Sequence, residues 1–373
     1  MKKIINKIQK VDAVLCIAWI LAVVSAFFVH PDKDYLGYID FRSLGILWGL
    51  MVIIQGIKEN SVFDRIAGFL LSKVKKSWQL AAMLIFMCFF GSMLITNDVA
   101  LITFVPFALM ILRECDREDM IIPTVVLQTI AANLGSMLTP IGNPQNLYLY
   151  GISNISLGGF VLMMLPFCLV SAAVLLLLIL IIPGKKSLQK SSSSSITGRL
   201  GSKHQIIIYT VLFAIALSTV LRILPWYVFA IIVLFTVGIM DHKILFRADY
   251  TLLLTFVGFF IFVGNMGRIE VISSFLEKVL VGHEFPVSVA LSQVTSNVPA
   301  TLMLSGFTTD YRSLLIGVNV GGLGTLIASM ASLISYKAYT GEYKEKSGKY
   351  LLVFTGVNVL FLVVLVAAYA LFK

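Results

Sequence analysis

The stretch GSMLTPIGNPQNLYLY, Gly135–Tyr150, holds two prolines, two glycines, two asparagines and a glutamine within 16 residues, in an otherwise strongly apolar neighbourhood. Proline carries no backbone N–H and clashes with the preceding helical turn, so a helix cannot run unbroken through Pro140 and Pro144. Inside a bilayer no water replaces the lost backbone bonds, and irregular backbone survives only where protein or a wet cavity surrounds it. The stretch therefore reads as a transmembrane segment unwound near its middle by prolines and glycines, with side-chain amides compensating for the backbone bonds lost there.

Composition agrees with a membrane setting. Of 373 residues, 58% are hydrophobic and 13% charged, about half the charge of an ordinary soluble domain. Apolar runs recur from Val11 to Phe372 without the alternation of a β-barrel. The fold class expected is an all-α polytopic membrane protein with about nine to eleven membrane segments. The net charge of +10 falls in short clusters between apolar segments, as topology signals do, so nucleic acid is not an expected partner and the bilayer is. The four cysteines and four histidines show no pairing or metal spacing. No Walker A sequence, HExxH or GxSxG is present, which argues against direct ATP coupling and against an intramembrane enzyme. No cofactor is expected.

The chain divides into an N-terminal span and outer loop (1–42), a first half (43–182), a polar serine-rich linker (183–204), a second half (205–338), and a C-terminal loop and span (339–373). Val11–Val29 reads as an uncleaved first span, too long for a signal-peptide core. Each half contains two short apolar pieces separated by a polar tip: 78–112 around Thr96-Asn97-Asp98, and 287–307 around Ser296-Asn297-Val298-Pro299. Such pairs read as re-entrant hairpins. Each half also contains a broken span: 120–150, unwound at Gly135–Gly142, and 311–338, unwound at Gly321–Gly324. The stretches 61–76 and 268–281 are amphipathic and read as interfacial helices. If the first hairpin opens inward and the second outward, 22 of the 29 basic residues fall inside and 7 outside, as the positive-inside rule requires. This threading puts the N-terminus in the cytoplasm and the C-terminus outside, in a cell (plasma or inner) membrane.

The halves also match residue by residue. TNDVALI (96–102) aligns with SNVPATL (296–302) at an offset of 200, and NLGSMLTPI (133–141) aligns with NVGGLGTLI (319–327) at an offset of 186. With the two hairpins opening oppositely, the halves are expected to be inverted repeats, a signature of secondary transporters with a site at the repeat interface. Helix N-termini at the tips offer unpaired N–H groups to an anion. Thr96, Asn97, Asn143, Ser296, Asn297 and Pro299 are therefore expected to bind substrate. Oxygen atoms of Asn133, Gly135, Thr139, Gly142, Asn319, Gly321, Gly322 and Thr325 suit a small hard cation such as Na⁺. Asp98, whose counterpart is Val298, is costly at membrane depth and a functional residue by default. It either carries a coupling proton, binds a cation, or stabilises the helix N-terminus. Tyr148 and Tyr150 read as interface anchors or cavity liners.

TNDVALITFVP and TPIGNPQNL, with SNVPA and NVGGLGTLIAS, resemble the ion transporter superfamily, from about Leu44 to the C-terminus. That group includes arsenite permeases, sodium/proton antiporters, and citrate and divalent anion/sodium symporters. The resemblance implies a homodimer of inverted repeats working by an elevator-type movement. Symporter relatives carry Ser-Asn-Thr at each tip, from which Thr96-Asn97-Asp98 and Ser296-Asn297-Val298 depart. The expected function is secondary transport of a small inorganic or organic anion coupled to Na⁺ or H⁺. The alternative is a sodium/proton antiporter using Asp98, and a passive channel is a further class.

Overall fold

The computed structural model describes residues 13–181 and 201–372, and every regular element among them is helical. The start of the first expected span, most of the serine-rich linker and Lys373 lie outside the described residues. Apart from a single helical turn at Tyr35–Tyr38 and short 3-10 turns, the helices in chain order are α1 (Ala13–Ala26), α2 (Phe41–Glu59), α3 (Val62–Ser72), α4 (Ser77–Gly91), α5 (Asn97–Glu114), α6 (Ile121–Ser136), α7 (Pro144–Ile152), α8 (Leu157–Ile181) and α9 (Lys203–Val220). They continue as α10 (Trp226–Leu245), α11 (Tyr250–Gly267), α12 (Glu270–Leu280), α13 (Glu284–Thr295), α14 (Asn297–Ser305), α15 (Tyr311–Val320), α16 (Met330–Glu342) and α17 (Ser347–Phe372). Among the described residues, six helices are long and apolar enough to cross a membrane: α2, α8, α9, α10, α11, and α17 with the turn before it. The chain is a multi-pass membrane protein.

Burial separates two kinds of helix. α6 is buried from Thr124 to Ser136 without interruption, which is why its sequence shows no polar face. α8 and α17 instead expose Leu176, Leu177, Leu180, Leu352, Val363 and Leu371, as lipid-facing helices do. The helices gather into two bundles. One packs α1 against α11 and packs α2 against α9 and α10. The other has α6 at its centre, against α4, α5, α16 and α17, with α13, α14 and α15 packed on one another. The amphipathic α3 and α12 lead from the first bundle into the helix pairs α4–α5 and α13–α14. At the ends of the spans, Arg247 pairs with Glu59 and Arg113 with Glu342. Arg268 lies 2.6 Å from Asp32 and holds that carboxyl below its ordinary range.

Both expected breaks exist, with different extents. The first interrupts the backbone between Ser136 and Pro144. The second runs from Gly321 to Ser329, beyond the expected Gly324. Helix cannot resume at Gly324 because its φ is +104°, and because the next N–H, of Thr325, is taken by the Gln293 side chain at 2.9 Å. A kink at Asp241 (φ −157°, ψ 82°) inside α10 had no counterpart in the sequence reading.

Two glycines permit α4 and α13 to lie directly on the broken spans. A Cβ on Gly135 would stand 2.0 Å from the Phe89 carbonyl oxygen, and one on Gly321 would stand 2.7 Å from Ser292 Oγ. Ser92 Oγ is likewise 2.7 Å from the Gly135 position. A Gly135→Ala variant must push α4 off α6, at a cost of about 1–3 kcal/mol. Gly356→Ala on α17 meets nothing within 4 Å and is expected to change stability by less than about 0.5 kcal/mol. Thermal unfolding of the two purified variants in detergent checks the contrast.

Candidate functional site

The helix-pair tips are built alike. Thr96 and Ser296 both adopt positive φ, +43° and +78°, an uncommon region for residues with a Cβ and uncomfortable for β-branched threonine. The turn aims the next backbone N–H at a broken span. Asn97 N–H donates to the Gly142 carbonyl and Asn297 N–H to the Ala328 carbonyl, both at 3.0 Å. Neither Thr96 nor Ser296 caps its helix through its side chain. The first N–H is satisfied by a neighbouring carbonyl, and Asn97 Oδ1 takes the N–H of Asp98 at 3.0 Å. The pattern extends: Thr139 Oγ1 donates to the Met93 carbonyl at 2.5 Å and Thr325 Oγ1 to the Gln293 carbonyl at 3.0 Å. Each pair follows the offsets of 200 and 186 found in the sequence.

Side-chain amides pair the unwound carbonyls. Asn146 Nδ2 lies within reach of three, those of Ser136, Met137 and Thr139, at 3.2, 3.3 and 3.2 Å. Gln293 Nε2 serves the Gly321 and Leu323 carbonyls, both at 2.9 Å. The carbonyls of Gly142 and Gly321, expected to face a cation, thus accept hydrogen bonds from the protein. A Cβ on Gly142 would stand 2.1 Å from the Ser136 carbonyl oxygen, so that position serves the tight turn of the break. Gly322 leaves room for Asn297, whose Nδ2 would lie 2.9 Å from a Cβ there.

Asparagines from the two halves cross-link where the breaks meet. Asn143 Nδ2 donates to Asn319 Oδ1 at 3.1 Å, and Asn319 Nδ2 donates to Asn146 Oδ1 at 2.7 Å. Reciprocally, Asn133 Oδ1 accepts from Ser329 Oγ at 3.0 Å and from Asn97 Nδ2 at 3.1 Å. Asn143 and Ser329 begin the resumed helices α7 and α16. α7 in turn packs on α14, and α16 on α5, so each resumed helix meets the helix pair of the other half.

These contacts close one wall of a cavity of about 390 Å³ between the two bundles. Asn97, Asp98, Asn297 and Pro299 line it from the two tips, and Ser329 and Gln145 from the resumed helices. Asp249 and Thr255 face them from the first bundle. An adjoining cavity of about 170 Å³ shares Asp98 and Asp249 and adds Thr96 and Arg247. Among the described residues no lysine or arginine lines the larger cavity. Among the described residues the Asp98 carboxylate accepts no hydrogen bond, whereas Asp249 Oδ1 accepts from the Leu252 N–H at 3.0 Å.

Of the expected substrate residues, Thr96, Asn97, Asn297 and Pro299 reach the cavities, while Ser296 and Asn143 are enclosed behind them. Of the expected ion residues among the described residues, Asp98 alone lines these two cavities; Asn133 and Asn319 lie in the amide network, and Thr139 and Thr325 fasten the tips. Tyr148 is buried with its hydroxyl 3.0 Å from Ser305 Oγ, and Tyr150 lies under the Arg222 guanidinium at 5.0 Å, so neither is a lipid anchor. Asp249, Gln145, Thr255 and Ser329 escaped the sequence reading. Ser329 was findable, since it occupies the place of Asn143 at the offset of 186. Asp249 reads locally as a helix cap and nothing more.

Comparison with known proteins follows this geometry. The family described as citrate transporter matches residues 4–310. An uncharacterized transporter of Methanocaldococcus jannaschii is 34% identical over 336 residues, covering 88% of this chain and 89% of its own length. The inner membrane protein YbiR of Escherichia coli is 30% identical, covering 84% of each chain. The silicon efflux transporter LSI3 of rice is 31% identical over 140 residues, 38% of this chain and 28% of its own.

Removing the Asn146 amide leaves three carbonyls, two of them buried, short of a donor. Asn146→Leu is expected to cost at least about 1–3 kcal/mol, read as a lowered unfolding temperature in detergent.

Proposed function

The chain belongs to the citrate transporter family, and on that premise we propose a secondary active transporter that moves a small inorganic or organic oxyacid anion, coupled to H⁺ or Na⁺. The observation that carries this reading is the shared cavity: two helix N-termini with their asparagine amides, and one unpaired carboxylate, Asp98, beside them. Amides and N–H groups suit the oxygens of an oxyacid. A carboxylate at that place repels a bare anion and accepts a proton or cation, which links movement of the solute to that of the ion. The matched contacts at offsets of 200 and 186 support an inverted-repeat reading with re-entrant hairpins. The cavity's position between two bundles supports an elevator-type movement of one against the other. The distribution of basic residues supports a cytoplasmic N-terminus in the cell membrane.

A solute panel in proteoliposomes tests this. Citrate, arsenite, silicic acid and sulfate are offered under imposed H⁺ or Na⁺ gradients. One solute is expected to accumulate under one gradient, and Asp98→Asn is expected to lose at least about tenfold of the gradient-driven uptake, equivalent to 1.4 kcal/mol. Absence of accumulation under every gradient would sink the proposal.

A second reading, cation/proton exchange, is favoured by one observation: Asp98 and Asp249 line both cavities together, with no basic residue in the larger. It predicts that adding Na⁺ releases protons from loaded vesicles without any solute. Both Asp98→Asn and Asp249→Asn are expected to abolish the release, whereas wild-type silence removes this reading.

A further inference from the structure

A groove of about 570 Å³ separates α3 from the first turns of α9. Its walls include Ile66 and Phe69 of α3 and Ile206 and Ile207 of α9. Phe69 and Ile207 are 63% and 62% exposed, far more than a helix packed on a neighbour would leave. Arg65 and Lys203 line the same groove, one from each helix, and neither forms an ion pair among the described residues. A third cation stands close by, with Lys73 Nζ 5.6 Å from the centre of the Phe69 ring. Arg65, Phe69 and Lys73 are four residues apart, so they form one stripe along α3.

The groove lies where α2 ends at Glu59 and α9 begins at Lys203. Both are candidate membrane spans, so this is the level at which acyl chains give way to headgroups. An apolar slot there takes hydrocarbon, and two unpaired cations at the slot favour a phosphate of net negative charge over one bearing its own ammonium. We propose that this groove binds an anionic phospholipid, with an acyl chain between α3 and α9 and the headgroup phosphate against Arg65 and Lys203. α3 is the arm that leads from α2 into the α4–α5 pair, and α9 packs on α2. The lipid therefore bridges the arm to the first bundle, and bilayer composition bears on how freely the arm moves.

Native mass spectrometry of the full chain, released from micelles with phosphatidylglycerol and phosphatidylcholine of identical acyl chains, tests the assignment. Each basic residue near a membrane surface is worth roughly a fivefold preference. Wild type is expected to retain phosphatidylglycerol at least about tenfold better, and Arg65→Gln with Lys203→Gln to fall to within about twofold. Arg65→Lys with Lys203→Arg keeps both charges and is expected to keep the preference. Lys75→Gln with Lys243→Gln removes two exposed cations that do not line the groove, and is expected to leave it unchanged. Equal retention of the two lipids by wild type overturns the proposal, whether or not the variants fold. So does an equal loss in the Lys75/Lys243 variant, which marks unspecific surface attraction.

Discussion

A backbone N–H or carbonyl in lipid has to find its partner inside the protein, and most of this structure follows from that requirement. Two helical segments are interrupted, between Ser136 and Pro144 and between Val320 and Met330, and a break frees several carbonyls at once. Asn146 answers for three of them in the first break and Gln293 for two in the second. The two amides come from different places: Asn146 from the resumed helix beyond its own break, Gln293 from the helix that packs alongside. The halves thus meet the same electrostatic demand by different local routes.

Where the halves agree, they agree in backbone conformation and in one pair of threonine side chains. Thr96 and Ser296 take up the same uncommon conformation, and the N–H that follows each reaches the carbonyl of a broken span. The tips are thereby bonded to the breaks they serve, and two threonine hydroxyls, of Thr139 and Thr325, repeat the fastening. A tip and its break move as one piece unless these bonds are given up. The asparagine cross-links tie the two such pieces together.

Charge is distributed sparingly. Asp98 and Asp249 come from different bundles and line the same cavity, with amides and hydroxyls around them. A carboxylate in a poorly solvated cavity has few ways to lower its energy: it takes a proton, a cation, or water. Two such groups face one cavity from different bundles. The basic residues Arg42 and Arg222 are used elsewhere, donating to the Gly151, Tyr150 and Ser153 carbonyls around the end of α7, where cations suit the negative end of the helix dipole.

The sequence by itself determined the membrane class, the long apolar helices, the places where two helical segments are interrupted, and the residue correspondence at offsets of 200 and 186. Each of these is written locally, in run length, in proline, glycine and amide content, or in residues that repeat in order. Tertiary structure alone decided which oxygens are free. It brought protein donors to the carbonyls of Gly142 and Gly321, enclosed Ser296 and Asn143, extended the second break to Ser329, and set Asp249 and Asp98 on one cavity. Those outcomes depend on groups 28 to 196 residues apart in the chain being brought together. Local propensity and hydropathy carry no record of such distances, because a buried polar atom is satisfied by whatever packing brings to it.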